Sequence, residues 1–278
     1  MRDRAQAGQR NPRVMDQVAP GVFVATSPVY LTTTTIVVGA DGGCLLIDPA
    51  LTALELARLG EWLAGAGLRP AVGWATHPHW DHVLWSRSLG SSVPRYATAK
   101  AVAAAEQARA DMIAEAGAVA SGHDPDLLGR LLAVPGSGES VPWDGPRAQL
   151  IAHDGHAPGH AAIWLPDYGV LVAGDMLSDV EIPLLDIGAA DPVGGYRAGL
   201  DLLASVAGVR LLVPGHGHVG DAAALRARLA MDVGYLDAVQ AGQGADDPRL
   251  LGPGAAWLRA EHMRQLGTSL PPPGQRLG

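Results

Sequence analysis

Apolar positions in the first third of the chain come in short β-branched runs separated by polar turn residues. Gly21-Val22-Phe23-Val24-Ala25-Thr26, Thr33-Thr34-Thr35-Ile36-Val37-Val38 and Cys44-Leu45-Leu46-Ile47 each break off at Gly, Pro or Asp, so each reads as a strand. Asp41-Gly42-Gly43 is a tight turn into the third strand, and Asp48-Pro49 ends it. The period then lengthens. Leu56, Leu59 and Leu63 recur at helical spacing behind Thr52, a residue suited to an N-cap, and predict a helix over 52–66. A further apolar run, Ala71-Val72-Gly73-Trp74-Ala75, predicts a strand. The Ala-rich stretch from Lys100 to Ala116 reads as a helix, and Asp124-Pro125 opens a second, shorter one to Leu132.

A Gly- and Pro-rich loop over 135–146 leads to a second half with the same logic. Ala148 to Ala152 predicts a strand and His156 to His160 a turn. Ala161–Leu165 and Val170–Ala173 predict a hairpin over Pro166-Asp167-Tyr168-Gly169. Asp191-Pro192 opens a helix to about Val206, and Arg210 to Val213 is a strand. Asp221 caps a long helix to about Ala241, with Leu225, Leu229, Asp232 and Leu236 on one side; another helix lies near 255–266. Two strand-rich halves with helices outside them describe an α+β protein built as a four-layer αββα sandwich. The expected organisation is one domain over 19–268 with a helical insert at about 97–134. A flexible segment (1–18) precedes it, and a disordered tail (269–278) beginning near Pro271-Pro272-Pro273 follows.

Composition narrows the partners. Hydrophobic residues make up 48% and charged residues 17%, a balance that suits a large buried core. The net charge of −8 and a lone lysine, Lys100, argue against binding nucleic acid through its phosphates. The single cysteine, Cys44, has apolar neighbours and no partner for an internal disulfide, which suits a reducing compartment. The first residues lack the apolar stretch of a signal peptide, and no run approaches the roughly 20 apolar residues of a membrane span. The expectation is a cytoplasmic protein acting on a small molecule without membrane or nucleic acid. Its oligomeric state is open, a homodimer included.

The chemistry concentrates in Thr76-His77-Pro78-His79-Trp80-Asp81-His82, directly after the strand at 71–75. Residues two apart at the end of an extended segment point the same way, so His77 and His79 can reach one metal ion. Asp81 and His82 lie where the chain must turn and can face a second ion. Imidazole and carboxylate together suit zinc best, with iron and manganese accepted by the same donors.

This H-x-H-x-D-H motif resembles that of the metallo-β-lactamase superfamily, and four other segments share the resemblance in the same order. Asp48 closes the run Cys44 to Ile47; Ala157-Pro158-Gly159-His160, Val172-Ala173-Gly174-Asp175 and Val213-Pro214-Gly215-His216-Gly217 follow. The resemblance spans residues from about 20 to 240 and implies the metallo-β-lactamase fold. It implies one metal on His77, His79 and His160, a second on Asp81, His82 and His216, and Asp175 as the bridge. Asp48 is expected behind the ligands, hydrogen-bonded to one of them or to their loop. His153, His156 and His218 are expected on the surface or behind the ligands, and His123 and His262 outside any metal chemistry.

The implied enzyme is a hydrolase with two zinc ions, in which a metal-held hydroxide attacks an ester, lactone or thioester carbonyl. Asp81 would orient that hydroxide and help protonate the leaving group. An iron-dependent persulfide dioxygenase, a phosphodiesterase and a β-lactamase are the alternatives on the same site. The aspartate at 175 points away from the zinc β-lactamases, which carry cysteine or serine there. Val83-Leu84-Trp85 replaces the family's frequent Gly-Gly and implies a bulkier following helix. Trp80, Trp85 and Trp143 are candidates to wall an apolar acyl pocket, and Tyr196 to assist an oxyanion, with a place on a helix surface as its alternative.

Overall fold

The computed structural model describes residues 15–136, 138–252 and 254–269. Seven strands form the first sheet in sequential order: β1 (Met15–Ala19), β2 (Val22–Thr26), β3 (Thr33–Val38), β4 (Gly43–Ile47), β5 (Arg69–Trp74), β6 (Arg95–Ala97) and β7 (Leu132–Ala133). The first four pair antiparallel through short turns, whereas β4 to β7 pair parallel because longer crossovers, among them helix α1 (Ala53–Gly65), return the chain to the same end. The second sheet runs β12-β11-β10-β9-β8, from β8 (Gln149–Ala152), β9 (Ala161–Leu165), β10 (Val170–Gly174), β11 (Leu211–Pro214) and β12 (Gly220–Asp221). Helices α2 (Ala99–Val119), α3 (Pro192–Ala204), α4 (Ala222–Gln240) and α5 (Ala256–Ser269) complete the described elements.

Alternation along the strands makes the layers. In β4, Leu45 and Ile47 face the second sheet beside Val172 and Val213, while Cys44 and Leu46 face α1 and α2 through Leu56, Leu59, Ala101 and Ala105. In β10, Val170 and Val172 face inward, and Leu171 and Ala173 meet Leu200, Leu203 and Leu236 of α3 and α4. Both faces of these strands are therefore buried, as their unbroken apolar runs require. The caps are equally local: Thr52 and Glu55 close a capping box on α1, and Asp221 accepts from Ala223 and Ala224 at the start of α4. No described helix is long and apolar enough to cross a membrane.

The fold has the expected αββα architecture, with local departures. Residues 15–18, expected to be flexible, lie in β1 and pair with β2; the rest of that segment and 270–278 lie outside the described residues. The expected helix over 125–132 is a turn. Gly129 takes a left-handed φ of 66°, its N–H bonds to the Val83 carbonyl, and the chain goes straight into β7. The stretch 97–134 carries helix α2 and is anchored in the first sheet at both ends, through β6 and β7. No α-helix follows the histidine motif; a single 3-10 turn, Arg87–Leu89, stands there.

The two sheets are stitched at one edge. Thr33 N–H donates to the Gly215 carbonyl at 2.8 Å and Ala161 N–H to the Thr76 carbonyl at 2.8 Å, each crossing from one sheet to the other. That edge collects the C-terminal ends of β4, β5, β10 and β11, followed respectively by Asp48, the 76–82 segment, Asp175 and His216. Loops gathered on a rigid rim are where function concentrates.

Candidate metal centre

Two groups of donor atoms converge at this rim. His77, His79, His156 and Asp175 form one, and Asp81, His82 and His216 the other; within each group the donor atoms lie within 4.8 Å of one another. All are buried or nearly so except His79, which stands at the mouth. The Asp175 carboxylate touches both groups. Its Oδ2 lies 3.4 Å from His77 Nε2, 3.5 Å from His156 Nε2 and 3.3 Å from His216 Nε2, and its Oδ1 lies 3.1 Å from His82 Nε2.

Hydrogen bonds on the far side of four rings orient them. His82 Nδ1 donates to Asp48 Oδ2 at 2.9 Å, and Asp48 is itself held by Thr76 N–H and Thr76 Oγ1. His77 Nδ1 donates to Thr76 Oγ1 at 3.0 Å, His156 Nδ1 to the Leu184 carbonyl at 2.8 Å, and His216 Nδ1 to the Tyr30 carbonyl at 3.0 Å. Each ring then turns Nε2 toward the cluster, the arrangement that outer partners impose on metal-binding imidazoles. His79 presents Nδ1 instead, 3.0 Å from His156 Nε2.

These contacts test whether a cation fits. His82 Nε2 and His216 Nε2 are 3.2 Å apart, and with each Nδ1 donating elsewhere two neutral rings would meet lone pair to lone pair, a contact that a shared proton or a cation relieves. Among the described residues, His77 Nε2 is buried and has no hydrogen-bond partner. A cation between the rings and the carboxylates satisfies all of these atoms. The electrostatics agree. Burial disfavours charge on His82 and His216, yet Asp175 and the neighbouring carboxylates pull both well above the usual imidazole range. Burial and His82 hold His77 well below that range, and burial with His79 pushes His156 down to about 3. His216, His82 and His77 together keep the buried Asp175 carboxyl low.

Of the seven residues expected as ligands, six lie in the two groups; His160 does not. It sits behind His77, its ring stacked at 5.2 Å on His77 and at 4.4 Å on His153. A side chain on Gly174 would reach 2.3 Å from His160 Nε2, so that nitrogen faces backbone. The donor in its place is His156, four residues earlier. The turn between them is closed by Gly159 N–H on Asp154 Oδ1, and it lifts His156 off the strand that begins at Ala161. The signal was present in Gly155-His156-Ala157-Pro158-Gly159-His160, in which both histidines follow a glycine; the choice of the second rested on the Pro-Gly pair. Gly215 is required here as well, since a Cβ there would meet Asp175 Oδ1 at 2.0 Å.

The aromatic candidates lie elsewhere. Trp80 and Trp85 belong to the helix-facing core, 6% and 2% exposed, and Trp85 Nε1 is occupied by the Gly90 carbonyl. After the histidine loop the chain turns inward, so Trp80 and residues 83–85 point at the α1 and α2 layer. Trp143 packs at the margin of the inter-sheet core. Tyr196 is 1% exposed in the core under α3 and α4, neither on the helix surface nor lining a described cavity. The cavity beside the cluster has other walls. About 500 Å³ in volume, it is lined by residues 28–31, by Val180 and Glu181, and by the C-terminal stretch from Arg249 to Leu258. None of these residues was singled out in the sequence.

Comparison with known proteins places this geometry. A profile described as the metallo-beta-lactamase superfamily matches residues 29–216. A hydroxyacylglutathione hydrolase of Thermosynechococcus vestitus is 30% identical over 136 residues, 49% of this chain, and the chain spans only 44% of that protein's length. A beta-lactamase domain protein from Burkholderia ambifaria aligns over 91% of this chain and 87% of its own, with TM-score 0.65 and 18% identity. A metallo-beta-lactamase family protein from Thermus thermophilus covers 91% of both chains, with TM-score 0.65 and 22% identity. The protein TTHA1623, solved in a di-iron-bound form, is 27% identical, with TM-score 0.59 over 75% of this chain and 98% of its own.

Proposed function

The chain belongs to the metallo-β-lactamase superfamily, and from that premise we propose a two-metal hydrolase that cleaves an ester, lactone or thioester carbonyl. The observation that carries it is the convergence of seven donor residues from both sheets, with His82 Nε2 and His216 Nε2 only 3.2 Å apart and His156 Nε2 and His79 Nδ1 only 3.0 Å apart. His77, His79 and His156 would hold one ion, Asp81, His82 and His216 the other, and Asp175 both. Imidazole and carboxylate donors favour zinc, and the di-iron form of TTHA1623 makes iron the second candidate. When bound, such ions lower the pKa of water toward neutrality and polarise a carbonyl.

The protein's own groups do the rest. Asp81 Oδ2 lies 3.3 Å from His216 Nε2 at the edge of the cluster, where a carboxylate can take a proton from the attacking water and return it to the leaving group. Asp48 and the Tyr30 and Leu184 carbonyls hold His82, His216 and His156 in one tautomer, so the rings need no reorganisation during turnover. The carbonyl-ester class is supported by the partial match to a hydroxyacylglutathione hydrolase. Cys44, the lone cysteine, is buried beside the helical layer away from the cluster, which speaks against a cysteine-liganded β-lactamase site.

Metal analysis of protein purified without added metal, followed by a substrate panel, tests the proposal. Close to two transition ions per chain are expected, with chelator-sensitive turnover of lactones, thioesters or p-nitrophenyl esters. Fewer than one ion, unrescued by zinc, iron or manganese, would sink it, as would turnover confined to bis-p-nitrophenyl phosphate or a cephalosporin.

A further inference from the structure

The cavity beside the cluster carries one step more. Resting on the hydrolase reading, we infer that the cavity between residues 28–31 and α5 is the acyl pocket, and that it selects an uncharged, apolar acyl chain.

Its position ties it to the chemistry. The Tyr30 carbonyl in its wall bonds His216 Nδ1, and the Glu181 carboxyl, also in the wall, lies 3.8 Å from the same nitrogen. One end of the cavity therefore abuts the second donor group. Tyr30 and Leu31 both hold left-handed backbone, φ 57° and 52°, which non-glycine residues adopt at a cost the surrounding structure must offset. That conformation aims the Tyr30 carbonyl at His216 and leaves the Leu31 side chain on the cavity side.

Its lining sets the ligand. Val29, Leu31, Val180, Trp257 and Leu258 supply an apolar wall, and about 500 Å³ is within the usual range for a small-molecule site. The one described cation in the lining, Arg249, is already fully engaged. Its Nη1 donates to Asp232 Oδ1 at 2.5 Å and to the Glu181 carbonyl at 3.0 Å, and Nε and Nη2 clasp Asp247 at 3.0 and 2.9 Å. With that side chain 2% exposed between two carboxylates, nothing in the described wall is left to neutralise an anion. Glu181 adds a carboxyl that gains nothing from a negative ligand. An acyl chain carrying a carboxylate or phosphate would lose its water without compensation, whereas each buried methylene gains.

Two measurements on the full chain test this. With the metal-loaded protein, kcat/KM for p-nitrophenyl acetate, butanoate, hexanoate and octanoate should climb by up to about fourfold per methylene that enters the cavity. The hemisuccinate ester should fall well below the butanoate. In parallel, calorimetric titration with octanamide, a neutral amide, should show binding to metal-loaded and chelator-treated protein alike. Trp257→Ala, at a side chain 37% exposed, and Val180→Asp should each weaken that binding by about tenfold or more and flatten the chain-length series. A flat series, a hemisuccinate cleaved as fast as the butanoate, or octanamide binding indifferent to both variants overturns the assignment. Octanamide binding lost in both variants, with no ester cleaved under any metal, keeps the apolar cavity and overturns hydrolysis instead. Esters cleaved without a chain-length effect do the reverse.

Discussion

His156 and His160 have the same side chain four positions apart, and their surroundings give them different work. His156 has its Nδ1 fixed by the Leu184 carbonyl and its Nε2 aimed into the donor cluster; His160 lies stacked between His77 and His153, with neither nitrogen bonded among the described residues. His156→Ala should therefore reduce metal content from about two ions to about one and lower kcat by on the order of a hundredfold or more. His160→Leu should keep both ions, since it replaces one buried filler with another. Metal analysis of the two variants decides the assignment, and metal lost from His160→Leu but not from His156→Ala would reverse it. The neighbouring His153 supplies a pH test. Burial pushes it down to about 4, so the folded protein holds it neutral while the unfolded chain takes up a proton near 6.5. Stability from this group is fully present above about pH 6.5 and is lost as pH falls from there toward 4. The unfolding free energy of the parent should thus drop relative to His153→Gln across that window, approaching about 1.4 kcal/mol per pH unit. Parallel curves for the two proteins in urea melts would show that His153 is not the titrating group.

At the level of elements, what could be read from the sequence was whatever depended on local pattern. Strands β2 to β5 and β8 to β11 announced themselves as short apolar runs bounded by turn residues, and α1, α3 and α4 because their caps and apolar spacing agree. Strands β6, β7 and β12 were illegible. Arg95-Tyr96-Ala97, Leu132-Ala133 and Gly220-Asp221 are too short to show a period, and they are strands only because a neighbour offers its backbone. The same limit explains the site. The histidine cluster was legible because its donors sit close together in sequence, while the cavity was not, because its walls come from 28–31, 180–181 and 249–258. Arg249 joins those distant pieces, binding the carbonyls of Ser178 and Glu181 while Asp232 of α4 and Asp247 hold it. Arg249→Met should release that segment and strand two buried carboxylates, costing roughly 3–5 kcal/mol in denaturant unfolding. Arg249→Lys, with fewer donors, should recover part of it. A cost below about 1 kcal/mol for the Met variant would mean the segment is held by its apolar contacts alone.

On the scale of the whole molecule, the donor set spans the interface between the two sheets. His77, His79, Asp81 and His82 follow β5 of the first sheet, whereas His156, Asp175 and His216 come from loops of the second. Each proposed ion would thus take ligands from both halves. Between those halves the described backbone bonds at the rim are few, and the inter-sheet core of Leu45, Ile47, Val172 and Val213 lies behind it. The rim also brings Asp48, Asp81 and Asp175 together out of water, a concentration of carboxylates that favours positive charge between them. A metal that binds only the folded state must then raise global stability by mass action, by about 2.7 kcal/mol for each site at a hundredfold excess over Kd. Chelation should lower the Tm by several degrees, and a stoichiometric return of zinc should restore it. The response should shrink to about half in His156→Ala, which retains one group, and vanish in Asp175→Ala, which breaks both. Thermal melts with and without chelator on the three proteins read this directly. A parent Tm that chelation leaves unmoved, in protein shown to have lost its metal, would mean that the two sheets close on their apolar core alone and that the ions serve only the reaction.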